Sequence, residues 1–92
     1  MAGDHQAAGV PVPELDGKGL RVAVVSSRWN SHVTLRLLDG VRRGLAEAGV
    51  DAAEVTEVWV PGAFELPLAA KAWAESGRTD AVVCLGCVIR GE

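Results

Sequence analysis

The chain has no tyrosine, one phenylalanine and an aromatic content of 4%, so its core is not built around aromatic rings. Its hydrophobic share of 49% rests on alanine, valine and leucine, the composition expected of strands covered on both faces. Basic residues are also scarce: 9 Lys and Arg against 12 Asp and Glu give a formal net charge of -3 and a pI near 5.3. A phosphate polymer meets no basic surface, and Arg42-Arg43 is a single pair within a helical pattern, which excludes nucleic acid as the expected partner. No apolar run approaches the roughly 20 residues of a membrane span, and Asp4 and His5 stand where a signal peptide carries positive charge. The expectation is a cytoplasmic protein without a membrane partner.

Cysteine is limited to Cys84 and Cys87, a C-x-x-C spacing inside the apolar run from Ala81 to Ile89. On a strand, residues three apart point to opposite faces, so neither a disulfide nor a shared metal is easy. Zinc needs further ligands, which His5 and His32 are poorly placed to give. Both thiols are read as structural. The nucleotide-binding glycine fingerprints are missing too. Gly17-Lys18-Gly19 precedes the first strand pattern instead of following it, and neither G-x-G-x-x-G nor G-x-x-x-x-G-K-[ST] occurs, which disfavours a dinucleotide or a nucleoside triphosphate.

What remains is a regular alternation. Met1 to Gly19 has glycines, prolines and scattered alanines without periodicity and reads as a flexible lead-in, with residues 20–92 as part of a single domain. Leu20 to Ser26 is a β-branched run that fits a buried parallel strand. From Ser31 to Ala48, Val33, Leu37, Val41, Leu45 and Ala48 recur every three or four positions, with Leu38 widening the stripe. Asn30 or Ser31 caps this helix and Gly49 ends it. Gly40 inside it costs roughly 1 kcal/mol of helix propensity, which signals either close packing on the sheet or simple tolerance.

Asp51 to Val60 begins loosely and tightens into a second strand that Pro61 terminates. A second helix runs from about Phe64 or Leu66 to Ser76, with Pro67 tolerated in its first turn and Gly77 as its stop. Asp80 to Ile89 is the third strand pattern. The βαβαβ order with right-handed crossovers makes the sheet parallel. At 92 residues such a chain buries only about 60 to 65% of its unfolded surface, and two helices leave strands uncovered, so isolated folding is expected to be poor.

Three turns carry the chemistry. Arg28-Trp29-Asn30, Pro61-Gly62-Ala63-Phe64-Glu65-Leu66-Pro67 and Cys87-Val88-Ile89-Arg90-Gly91-Glu92 each follow a strand of one parallel sheet, so they gather at its carboxyl edge, where open α/β folds hold ligands. Trp29 offers a flat face to a heteroaromatic ring, a contact worth on the order of 1 kcal/mol beyond its buried area. The alternative is a rim tryptophan covering the helix base. Glu65 stands at a helix start, where the dipole favours a carboxylate by roughly 0.3 to 1 kcal/mol. Its other reading is as an acceptor for ligand hydroxyls, with the amides of Ala63 and Phe64 donating. Phe64 either joins that pocket or staples the turn to the core.

Together, Arg28-Trp29-Asn30, Val60 to Pro67 and Leu85 to Glu92 resemble lumazine synthase in order and spacing, over about residues 20 to 92. The resemblance implies a three-layer α/β/α flavodoxin-like fold, here its βαβαβ portion. It implies condensation of 5-amino-6-ribitylaminouracil with 3,4-dihydroxy-2-butanone 4-phosphate, with no organic cofactor or metal, by homo-pentamers or icosahedral shells. By position, Trp29 stacks on the pyrimidine, and Ala63, Phe64 and Glu65 line the ribityl pocket. Cys87, Val88 and Ile89 contact the uracil edge, and Gly91 and Glu92 open the phosphate loop.

The family's proton-transfer histidine, in a Thr-x-His type segment, is expected beyond Glu92, and the chain is read as an N-terminal portion. His32 is read as an exposed surface residue and no substitute. The competing readings are a non-catalytic ribityl-binding or assembly module of the same fold, and an unrelated flavodoxin-like or receiver-type domain. The latter does not account for the three turns.

Overall fold

The structure, a computed structural model, describes residues 16–89. Its centre is β1 (Val22–Ser27), in which all six residues are buried. Parallel to it on either side run β2 (Val55–Val60) and β3 (Ala81–Leu85), in the order β2-β1-β3. The register aligns Ser27 with Val60 and Ser26 with Leu85, so the three strands end level at their carboxyl edge. The parallel α/β arrangement matches the order of elements read from the sequence. β3 is shorter than its apolar run, because pairing with β1 stops at Leu85 and leaves residues 86–89 as irregular chain after the strand. Cys87 therefore sits off the strand, and strand alternation does not set its relation to Cys84. Both thiols are free.

Side-chain alternation sends Val22 and Val24 to one face of the sheet, where they pack with Leu38 and Val50. Leu38 comes from α1 (Ser31–Glu47). Leu38, Val41 and Leu45 of the expected stripe face the core, but the helix is turned toward Thr34, which is buried with Leu38, while Leu37 is 43% exposed. Thr34 takes a core position because its Oγ1 donates to the Asn30 carbonyl at 3.4 Å, which satisfies the hydroxyl and lets the methyl face inward. Asn30 caps the helix with its carbonyl, which also accepts from the amides of Val33 and Thr34, while its side chain makes no cap bond. Gly40 has nothing within 4 Å of a Cβ built on it, so tolerance, not close packing, accounts for it.

At the end of α1, Gly49 adopts φ 91°, a left-handed C-terminal stop, and Val50 N–H closes on the Leu45 carbonyl at 2.9 Å. The chain enters here as well. Gly17 N–H donates to the Ala48 carbonyl at 2.6 Å, so Asp16 to Gly19, the last residues of the segment read as a lead-in, form a turn against the helix. The loose start of the second strand pattern is a short 3₁₀ turn, Ala52–Glu54, opened by an Asp51 carboxylate that accepts from Ala53 N–H at 2.9 Å. The opposite face of the sheet is covered by α2 (Leu66–Glu75), preceded by a 3₁₀ turn at Ala63–Glu65 and stopped near Gly77, φ 75°. Leu66 is the buried residue of α2.

At the amino edge of the sheet Asp80 ties β3 to β1. Its Oδ2 accepts from Arg21 N–H at 2.8 Å and its Oδ1 from the Arg21 guanidinium at 3.1 Å, while Arg21 also donates to the Gly77 carbonyl at 3.2 Å. The hydrogen bond from the guanidinium, and then that from the Arg21 amide, hold the Asp80 carboxyl below its ordinary 3.8. A depressed folded-state value means the carboxylate stabilises the fold above the ordinary value, and that contribution is lost as pH falls through the lower one. We therefore expect Asp80→Asn to be less stable than the parent at neutral pH, with the difference shrinking progressively as pH falls below 3.8, as measured by denaturant midpoints at pH 7 and at a series of lower pH values. A constant difference between the two would refute this role.

Candidate functional site

The strands end level, so the turns that follow them meet. Arg28 N–H donates to the Val60 carbonyl at 2.8 Å and Trp29 N–H to the Pro61 carbonyl at 3.1 Å, which locks the first turn onto the second. Asn30 completes the first turn at φ 61°, a left-handed conformation tolerated by asparagine. In the second turn Gly62 and Glu65 hold each other. Gly62 N–H donates to Glu65 Oε1 at 2.8 Å, and Glu65 N–H donates to the Gly62 carbonyl at 3.2 Å, a reciprocal pair that starts the 3₁₀ turn. The third turn follows Leu85 and lies against the second through Gly86.

Where the three turns meet there is a concavity of about 290 Å³ lined by Trp29, Gly62, Ala63, Phe64, Cys87, Val88 and Ile89. Six of the residues singled out from the sequence, Trp29, Ala63, Phe64, Cys87, Val88 and Ile89, thus share one surface. Glu65 is not on that lining; one of its oxygens is engaged by the Gly62 amide. Gly91 and Glu92 lie outside the described residues, as does His5. His32 is exposed on the first turn of α1 and does not line the concavity. Sequence reasoning gave no part to Gly62 as a lining residue; its turn-forming role was legible, its placement was not.

The site is open. Trp29 is 71% exposed, Phe64 89% and Val88 73%, so its aromatic faces are presented to solvent instead of being packed in the core. Phe64 is therefore no staple. A slightly larger concavity, about 310 Å³, lies at the amino end of β2 between Leu45, Val50 and Val55, rimmed by Arg42 and Glu57. It is formed where the core thins out under a bidentate ion pair, with Arg42 donating to both Glu57 oxygens at 2.7 and 2.6 Å. No strand-end turns converge there, so the carboxyl-edge site carries the functional argument. Among the described residues no three His, Cys, Asp or Glu side chains cluster as a metal site would need, and no helix is long and apolar enough to cross a membrane.

These features define an open parallel α/β protein with a concave, aromatic-lined surface at the carboxyl edge of its sheet, built from the turns after all three strands. The profile of the 6,7-dimethyl-8-ribityllumazine synthase family matches residues 19–92. The chain is also 57% identical over 91 residues to the 6,7-dimethyl-8-ribityllumazine synthase of Kineococcus radiotolerans, a match covering 99% of this chain and 52% of the relative. This chain belongs to the 6,7-dimethyl-8-ribityllumazine synthase family. It spans about half the length of the curated relative it matches. A receiver-type or unrelated flavodoxin-like domain is excluded by that match.

Proposed function

We propose that this chain is the part of a 6,7-dimethyl-8-ribityllumazine synthase that binds the ring and ribityl chain of 5-amino-6-ribitylaminouracil, for condensation with 3,4-dihydroxy-2-butanone 4-phosphate and release of phosphate. The observation that carries the reading is the convergence of Trp29, Ala63, Phe64, Cys87, Val88 and Ile89 on one concavity. Trp29 stacks on the pyrimidine. Ala63 and Phe64 receive the ribityl chain, and Glu65, while bracing the Gly62 turn with one oxygen, offers the other to ribityl hydroxyls. Cys87, Val88 and Ile89 meet the uracil edge through their backbone, and Gly91 and Glu92 lead into the phosphate loop. The working protein is a cytoplasmic homo-oligomer of pentameric or icosahedral type, and the reaction needs neither organic cofactor nor metal.

In the reaction an amine condenses with a ketone to an imine with loss of water, and phosphate is eliminated to leave an enol. The enol tautomerises to a ketone, and the second amine attacks that carbonyl to close the ring with loss of a second water. The chain's contribution is proximity and orientation, which remove several kcal/mol from a bimolecular barrier. Proton transfer is the task of a group supplied from elsewhere in the assembly, since the only titratable side chain on the described lining is the Cys87 thiol.

Calorimetric titration with 5-amino-6-ribitylaminouracil tests the reading. Trp29→Ala is expected to weaken binding roughly 5- to 10-fold, the equivalent of about 1 kcal/mol of stacking plus lost contact area. Glu65→Ala should weaken it through both the lost acceptor and a loosened Gly62 turn. Affinities equal to the parent in both variants would show that the ligand binds elsewhere.

A further inference from the structure

Gly86 is the first residue after β3. Its backbone is not left-handed, since the positive-φ glycines are Gly19, Gly49 and Gly77 among the described residues. Conformation therefore does not demand glycine there. Space does. A Cβ at this position would stand 2.7 Å from Leu66 Cδ1, 3.4 Å from Ala63 Cβ and 3.5 Å from Ser27 Oγ. Carbon atoms in contact sit about 3.5 to 4.0 Å apart, so the first distance is short by roughly 1 Å. Leucine methyls swing aside where there is room, but Leu66 is the buried residue of α2, at 9% exposure. The Ser27 side chain is fully buried, and its hydroxyl has no hydrogen-bond partner among the described residues. The second and third turns thus meet along a closely packed seam.

The seam borders the candidate site directly. Ala63 on one side of it and Cys87, next to Gly86, on the other both line the concavity. We propose that Gly86 is a positioning residue that sets the width of the ligand concavity, by letting the third turn close on Ala63 and Leu66. This rests on the ligand-binding reading above for its consequence, though not for its geometry. A side chain at position 86 pushes residues 87–89 outward, away from Trp29 and Phe64. Misplacement by about 1 Å is enough to cost up to about 100-fold in a positioned reaction.

The test pairs Gly86→Ala and Gly86→Val with Leu66→Ala, which removes the obstructing methyl. Each variant is examined in the 92-residue chain and again with the second half of the Kineococcus radiotolerans relative joined after Glu92. One arm needs no ligand: the iodoacetamide alkylation rate of Cys87, with Cys84 as internal reference, both read by mass spectrometry. Gly86→Ala is expected to raise the Cys87 rate several-fold, Gly86→Val more so, and Leu66→Ala to bring Gly86→Ala back toward the parent.

The second arm titrates 5-amino-6-ribitylaminouracil. Gly86→Ala is expected to weaken binding by about tenfold or more, with recovery in the double variant although Leu66→Ala by itself lowers stability. Unchanged Cys87 reactivity in both Gly86 variants overturns the proposal, and so does a double variant that only adds the two stability losses without restoring reactivity or affinity. If the parent binds no ribitylaminouracil, the proposed function fails, while the alkylation arm still decides whether Gly86 sets the seam.

Discussion

Incubated with both substrates, the 92-residue chain on its own is expected to make no 6,7-dimethyl-8-ribityllumazine, and joining the second half of the Kineococcus radiotolerans relative after Glu92 is expected to restore turnover. Two physical deficits lead to this result. The described lining carries neither a carboxylate nor an imidazole: Glu65 is turned to the Gly62 amide, and His32 sits on the first turn of α1. A positioned acid or base is worth about 10² to 10⁴ in rate. The concavity is also open: of its lining, Trp29 is 71% and Phe64 89% exposed, whereas ligand pockets bury most of their ligand.

The fold has a matching deficit. Only β1 is buried along its whole length, while β2 and β3 are both edges of the described sheet, partly exposed. Unpaired edges of this kind invite association. Weak thermal cooperativity or aggregation of the chain alone should accompany the missing turnover. Measurable lumazine formation, followed by its absorbance, from the 92-residue chain alone would overturn the proposal that catalysis needs residues outside it.

The second large effect is on the core. Leu38→Ala is expected to destabilise the protein by about 2 to 5 kcal/mol, the range for emptying a leucine site that cannot collapse. Leu38 is fully buried and packs with Val22, Val24 and Val50, with Val41 and Leu45 beside them. Against a total stability of roughly 5 to 15 kcal/mol for an ordinary domain, that loss is severe. Leu37→Ala is the control. Its side chain is 43% exposed, and surface changes usually stay within about 0.5 kcal/mol. Urea midpoints, measured in whichever form of the protein unfolds cooperatively, separate the two. Equal losses would mean that α1 presents a different face to the sheet.

That pair of leucines also marks where reading the sequence stops. Periodicity located the helix within a residue of its observed ends, but Val33, Leu37 and Leu38 together made a stripe too broad to fix its rotation. The rotation follows from packing on β1, which draws in Thr34 because a local hydrogen bond to Asn30 satisfies its hydroxyl. Nothing in a hydropathy pattern marks a threonine as core. The apolar run to Ile89 predicts a longer third strand than the structure has, for a similar reason. An apolar run marks burial or ligand contact alike, and only pairing with β1 tells where the strand ends.

The order of elements, the parallel sheet, the strand-end turns and the family to which they belong are legible in the residues alone, because those depend on local periodicity, on proline and glycine, and on residues close together in the chain. Tertiary structure decided which side chains share a surface. It gathered Trp29, Phe64 and Cys87 around one hollow, and made Gly86 a matter of room instead of backbone angle. Such outcomes depend on distances between segments 20 or more residues apart along the chain, and these are set only once β2 and β3 have paired with β1.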